Sequence, residues 1–537
     1  MKRIMVCLLY VAVSVSRALG ANQIVTENQL AGAPQSEWDV AGAGSASLQG
    51  FATEFSVNHG STVNFKIQSS AADWRIEIYR LGYYQGNGAR LVTTINKSGT
   101  APQPAPIVDT TTGLVDAGNW TVTASWAVPA NAISGVYVAH LVDNNNLANE
   151  NQIPFVVRAD ESHSDIVFQT SDTTWQAYNG WPCGVAIPNA NLYGGNGPGG
   201  DSAPGRAYKV SYNRPIATRD ACGQTASWTN YLFGAESAAI YWLERNGYDV
   251  SYISGADTAR FPALLLQHKI FASTGHDEYW DGVARANVQA ARAAGVHLVF
   301  MSGNEVYWKT RWEPSIDSSA APYRTLVCYK ETRSSGPLDP LDSSPTWTWT
   351  GTWRDPRNSP PADGGKPENA LTGTIFEVDG YRADTIEVPY EMSRLRFWRN
   401  TPNVSLAASG VTTALTPTLL GYEWDNSPEN GFAPPGVIAL SSTTVNVNSR
   451  LLDYGTIVGD GTATHKLSLY KHPSGAWVFG AGTVFWAWGL SELHDGPPTP
   501  VDPNIQQAMV NLFADMGVQP ATLQSGLVPA SPSTDTT

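Results

Sequence analysis

The chain has 537 residues, more than one hydrophobic core usually holds, so two or three domains are expected. Its formal net charge of −14 at pH 7, with no basic clusters, argues against nucleic acid and against anionic membranes as partners. After the first residues no segment approaches the roughly 20 apolar residues that a membrane span needs.

The first stretch carries Lys2 and Arg3, an apolar run from Ile4 to Val15 and a small-residue end at Ala18-Leu-Gly20. It reads as a secretory signal peptide over residues 1–21, which predicts a secreted or periplasmic protein. Of the four cysteines, Cys7 would leave with that segment. A Cys183–Cys222 bridge in Gly/Pro-rich loops is one reading and three free thiols the other, because sequence alone does not fix a pairing. Cys328 reads as a buried strand residue.

Residues 22–160 alternate polar and apolar side chains in short runs such as Thr62-Val-Asn-Phe-Lys-Ile67 and Trp74-Arg-Ile-Glu-Ile-Tyr79, which predicts an Ig-like β-sandwich. Its aromatic residues Tyr79, Tyr83, Tyr84, Trp120 and Trp126 either fill the sandwich and its contacts or offer stacking faces to sugars. The pattern changes after Ser164. Asp165 to Thr170 reads as a buried strand from which Ser171 to Asn179 emerges, and a Gly-rich loop over 180–206 is long enough to shape a site. A helix over Ala235 to Asn246 and a strand over Tyr248 to Ile253 follow. Next comes a βαβ unit, with strands at Lys269 to Ser273 and Val296 to Met301 and a helix from Val283 to Ala294 between them. This alternation predicts a Rossmann-like parallel sheet over residues 161–523. An insertion at about 335–370 is rich in Trp, Pro and Gly. Strands are expected at Thr374 to Phe376, Leu395 to Trp398, Thr418 to Tyr422, His465 to Tyr470 and Trp477 to Phe479. A helix from Asn504 to Met516 and a flexible tail over 524–537 end the chain.

Parallel strands joined by one helix set the residues after each strand side by side, where open α/β sheets bind ligands. Here those residues are His276-Asp-Glu-Tyr-Trp280 and Gly303-Asn-Glu-Val-Tyr-Trp-Lys309. Tyr279 and Tyr307 are therefore expected on one rim with carboxylates, an imidazole and an amide. Phenolate and carboxylate oxygens suit a hard trivalent cation, which also lowers the phenol pKa. Pocket-lining by hydrogen bonding and stacking is the alternative use of two such tyrosines.

Three motifs, Gly275-His-Asp-Glu-Tyr-Trp280, Ser302-Gly-Asn-Glu-Val-Tyr-Trp-Lys309 and Gly421-Tyr-Glu-Trp-Asp425, resemble the large (beta) subunit of the N,N-dimethylformamidase family. Tyr79-Arg-Leu-Gly-Tyr-Tyr84 and Gly118-Asn-Trp120 resemble its secreted bacterial branch. The resemblance implies a glutamine-amidotransferase-like α/β domain and a mononuclear iron, Fe3+, held by two tyrosines and a glutamate. Carried over by motif, these are Tyr279, Tyr307 and Glu423, with Glu305 as a competitor for the last place. The implied reaction is hydrolysis of a linear amide by water attacking a polarised carbonyl. Glu278 or Glu305 would move the proton, and His276 or Asn304 would hydrogen-bond the oxyanion. Asp277 and Glu278 have a competing use as helix caps, and His276 as a residue that orients others. A small amide is thus the expected substrate. Two other readings stay open, a carbohydrate-directed secreted protein with a carbohydrate-like ligand and a metal-free interaction protein. The sequence leaves the oligomeric state unspecified.

Overall fold

The structure is a computed structural model that describes residues 22–183, 190–200, 205–220, 227–334, 338–341, 348–357 and 365–533. The signal-peptide segment, Cys222 and much of the 335–370 insertion lie outside the described residues. Sheets dominate and helices are few and mostly short.

In the N-terminal part, a three-stranded sheet (Leu48–Ala52, Thr62–Ser69, Ala124–Ala127) faces a five-stranded one (Ser56–Asn58, Asp73–Leu81, Ala89–Ser98, Gly135–Asp143, Glu150–Arg158). The period-two alternation turns Val63, Phe65 and Ile67 of one sheet and Trp74, Ile76 and Ile78 of the other into a shared core with Trp126, Tyr137 and Phe155. Tyr79, Tyr84, Trp120 and Trp126 are all buried, and Trp120 also lines a cavity. Tyr83 packs edge-on against Tyr241, with ring centroids 5.2 Å apart.

A seven-stranded sheet forms the centre of the rest. Its strands in chain order are β1 (Ile166–Gln169), β2 (Val250–Ile253), β3 (Ile270–Gly275), β4 (His297–Ser302), β5 (Ile438–Ala439), β6 (Ser468–Lys471) and β7 (Trp477–Gly480). They lie in the order β2-β1-β3-β4-β7-β6-β5. The pairs from β2 through β7 are parallel and the last two pairs are antiparallel. Strands β1, β2 and β3 are buried along their whole length, which is why they read as short apolar runs without alternation. Strands β3 and β4 pair from Ile270 with His297 to Gly275 with Ser302, joined by the helix Gly282–Ala293. Asp281 caps this helix by accepting from the Val283 and Ala284 N–H groups. Asp277 and Glu278 therefore do not cap it.

Other elements depart from the sequence expectation. The helix over 235–246 is two pieces, Leu232–Ala235 and Ser237–Arg245, broken at Glu236, whose carboxylate accepts from Ser171 N–H and Trp175 Nε1. Residues 395–398 are not a strand but a turn, Arg396–Trp398, closed by Trp398 N–H donating to Leu395 O and Arg399 N–H donating to Arg396 O. The run His465 to Tyr470 splits between the strand Ile457–His465 of a separate four-stranded sheet and β6. Glu423 lies inside the strand Leu420–Asn426 and not beyond its end.

The two halves meet around a buried ion pair. Arg80 of the sandwich donates from both Nη atoms to the Glu244 carboxylate, at 2.8 and 2.9 Å. Tyr252 and Asn28 also donate to Glu244, at 2.8 Å each. Beside it Tyr84 donates to Glu27, which pairs with Arg90.

Candidate functional site

The chain leaving β1 forms the helix Asp172–Ala177 and ends at Tyr178. The loop beyond returns so that Leu192 N–H donates to Ala177 O and the Asn191 amide donates to Tyr178 O. This stacks Tyr193 on Tyr178, with ring centroids 4.2 Å apart. Both hydroxyls then donate to Glu278, Tyr193 to Oε1 at 2.5 Å and Tyr178 to Oε2 at 3.2 Å.

Glu278 lies three residues past β3, and His276 turns Nε2 toward two carboxylates. It stands 3.4 Å from Glu278 Oε2 and 3.1 Å from Glu423 Oε2. The other ring nitrogen, Nδ1, is 2.8 Å from Asn230 Oδ1, which also accepts from Tyr422 OH at 2.5 Å. Asn304 follows β4 with a left-handed φ of 49°, a conformation asparagine tolerates better than most residues. Its N–H donates to Asp425, its side-chain amide donates to Glu423 Oε2 at 2.8 Å, and that amide also meets His276 Nε2 at 3.1 Å.

These groups enclose a cavity of about 120 Å³ lined by Tyr178, Tyr193, Glu278, Asn304, Tyr307, Tyr422 and Glu423, with Arg333, Phe376, Asp379 and Tyr381 completing the wall. A larger cavity of about 510 Å³ beside Trp120 and Trp181 has Asp220 as its one acidic lining residue and no histidine, so the chemistry belongs to the smaller one. Burial drives the electrostatics. It would lower the His276 pKa, yet the negative charges of Glu278 and Glu423 outweigh it and the value is raised. Glu423 is raised by burial, against the hydrogen bond from His276. Tyr178 and Tyr193 are raised well above the ordinary phenol value, first by burial and then by the Glu278 charge, so each is a neutral donor until a cation replaces its proton.

Four residues expected at the site are gathered here, namely His276, Glu278, Asn304 and Glu423. Tyr307 also lines the cavity, its buried hydroxyl without a hydrogen-bond partner among the described residues. Tyr279 does not line it. The short strand Tyr279–Asp281 pairs Tyr279 with Trp308, and successive side chains take opposite faces, so Glu278 stands beside Tyr307 in the cavity wall and Tyr279 lies behind it, next to Tyr193. The Tyr279 ring instead meets Tyr193 edge-on and lies under Lys330 Nζ at 5.4 Å. Glu305 does not line the cavity either. It bonds Ser302 and Ser273 beneath it, and burial raises its pKa well above the carboxylate range.

Of the expected trio, Tyr307 and Glu423 line the cavity and Tyr279 does not. Two tyrosines and a glutamate do converge, but they are Tyr178, Tyr193 and Glu278. In the sequence the loop over 180–206 stands out as long and the run Ser171 to Asn179 as leaving the first strand, but no local signal isolates these two phenols. Elsewhere, Cys183 is disulfide-bonded and Cys328 is a buried free thiol. His494 stacks on Trp488 and Asp495 pairs with Arg219, so neither reaches the cavity.

Carboxylates, one imidazole and a fence of phenols around a small cavity at the carboxyl edge of a parallel sheet define a protein equipped for acid–base chemistry on a small molecule. The family model for N,N-dimethylformamidase beta subunit-like proteins, C-terminal part, matches residues 75–500, and the chain belongs to that family of hydrolases. No curated protein matches the chain. Among the described residues no helix is long and apolar enough to cross a membrane, and no set of three His, Cys, Asp or Glu side chains is arranged to hold a metal ion. A metal at this site therefore depends on phenols.

Proposed function

We propose that the protein is an exported, iron-dependent hydrolase of small linear amides, with Tyr178, Tyr193 and Glu278 as the iron ligands. The observation that carries this reading is the convergence of two phenols on one carboxylate in the wall of the cavity that Asn304 and Glu423 also line, with His276 in contact with both carboxylates. Three hard oxygen donors fit a ferric ion, and phenols raised by burial bind one by giving up their protons to its charge. When bound, such an ion polarises a carbonyl oxygen and lowers the pKa of water.

The protein's own groups supply the rest. Glu423 takes a proton from the attacking water and returns it to the leaving nitrogen as the C–N bond breaks; its raised pKa suits both duties. The Asn304 amide, 2.8 Å from Glu423 Oε2 and 3.1 Å from His276 Nε2, holds that carboxylate and the imidazole together. His276, anchored through Nδ1, presents Nε2 between Glu278 and Glu423 and stabilises negative charge there. Burial of every one of these groups excludes bulk water and strengthens each interaction. In this reading Tyr307 is a wall of the cavity, the parallel part of the central sheet is a Rossmann-like core, and residues 22–160 and 161–523 are separate domains.

Elemental analysis joined to a hydrolysis screen with small amides tests the proposal. The wild type is expected to carry one iron with a phenolate-to-iron absorption band and to hydrolyse a small amide. Tyr193→Phe loses the band, whereas Glu423→Gln keeps it and loses turnover. Iron-free, inactive wild-type protein would overturn the reading.

A further inference from the structure

The reacting groups sit in about 120 Å³, well below the roughly 300–1,000 Å³ of pockets that enclose drug-sized ligands, so a larger substrate must project out of the cavity. One strand shows where. Ile375–Asp384 supplies three lining residues, and their exposure rises along it from Phe376 at 2 % to Tyr381 at 68 %. The mouth therefore lies at Tyr381.

The strand is shaped for this. Its register against Leu420–Asn426 passes from Val378 opposite Trp424 to Arg382 opposite Tyr422, so four steps on one side match two on the other. The extra residues form a bulge containing Gly380 at φ 147°, and bulges beside sites re-aim side chains. Here the bulge lays the Tyr381 ring on Tyr422, with centroids 5.2 Å apart and planes 17° apart. Tyr422 is fixed in turn by its bond to Asn230, so the outer ring has a rigid backing. Two residues before Tyr381 on the same strand, Asp379 stands 3.5 Å from Arg333, and the two offset each other's charge.

We infer that Tyr381 is a specificity-determining residue, an aromatic platform at the mouth that selects neutral amides bearing a planar aromatic substituent. This rests on the amidase reading of the same cavity. The amide group enters the cavity, the substituent stacks on the outer face of Tyr381, and the paired charges of Arg333 and Asp379 give no advantage to an ionic group. A large aromatic left two-thirds exposed at the rim of an otherwise buried site then has a use.

The test measures binding of acetanilide and N,N-dimethylacetamide to the purified full-length protein, with hydrolysis followed separately. Acetanilide is expected to bind the wild type more tightly. Tyr381→Ala should weaken acetanilide about fivefold to tenfold and leave the dimethyl amide unchanged, while Tyr381→Phe keeps the preference. Equal weakening of both amides in Tyr381→Ala, or no preference in the wild type, overturns the inference. If the preference and its loss are seen but neither amide is hydrolysed, the platform stands and the amidase reading fails. If both are hydrolysed without preference, the reverse holds.

Discussion

Two buried polar clusters in this molecule are built on opposite rules. At the junction of the halves, Glu244 and Glu27 face Arg80 and Arg90, and Tyr252, Asn28 and Tyr84 take up further hydrogen bonds. Each carboxylate there has a guanidinium. In the cavity, Glu278 and Glu423 share one imidazole and are otherwise met by neutral donors, Tyr178, Tyr193 and Asn304. The first cluster is closed by paired guanidinium groups, whereas in the second Arg333 and Lys330 stand nearby but, among the described residues, form no ion pair with Glu278 or Glu423. A buried charge without a counter-charge costs stability, so the second is kept for what it binds, and the first for holding the sandwich on the sheet.

The largest expected effect breaks the closed cluster. Arg80→Met leaves Glu244 buried without its cation and should cost about 3–5 kcal/mol, read as a lower urea midpoint, while molecules that remain folded bind iron as before. In the open cluster, Glu278→Gln should leave stability level or slightly higher and reduce iron content and amide turnover by about 100-fold or more. A stability loss as large as that of Arg80→Met would erase the contrast.

A pH test sharpens it further. Burial holds the Asp172 carboxyl up at about 6, despite hydrogen bonds from Gly255, Thr170 and Tyr212. The folded chain then keeps a proton that the unfolded chain releases near pH 4, so this residue makes stability fall as pH rises from about 4 to 6 and adds no slope above that. Relative to Asp172→Asn, the wild type should lose about 3 kcal/mol across that window, measured by urea unfolding at each pH. The smallest effect is expected for Tyr279→Phe, with iron content, absorption band and turnover within about twofold of wild type. A lost band in that variant would return Tyr279 to the metal and remove Tyr178 or Tyr193 from it.

Much of the scaffold was legible in the chain because its signals are local. The alternation in Thr62 to Ile67 marks a half-buried strand, and the apolar runs of β3 and β4 with a helix between them mark a parallel pair. The rim followed from connectivity, so His276, Glu278 and Asn304 were placed near one another before any coordinate. The choice between the neighbours Glu278 and Tyr279 was not legible. It depends on where pairing resumes after β3, and a shift of one residue exchanges the face to which every side chain points.

Sequence by itself determined the parallel β3–β4 pair with its helix, the family and the edge of the sheet where the motifs meet, since these depend on periodicity and on motifs a few residues long. Only the tertiary structure decided which phenols meet which carboxylate. Tyr178 and Tyr193 reach Glu278 from 100 and 85 residues away, over a loop whose course is set by hydrogen bonds such as Asn191 to Tyr178 O. Contacts of that span are fixed by packing and backbone pairing in three dimensions, and nothing in the local spacing of residues encodes them.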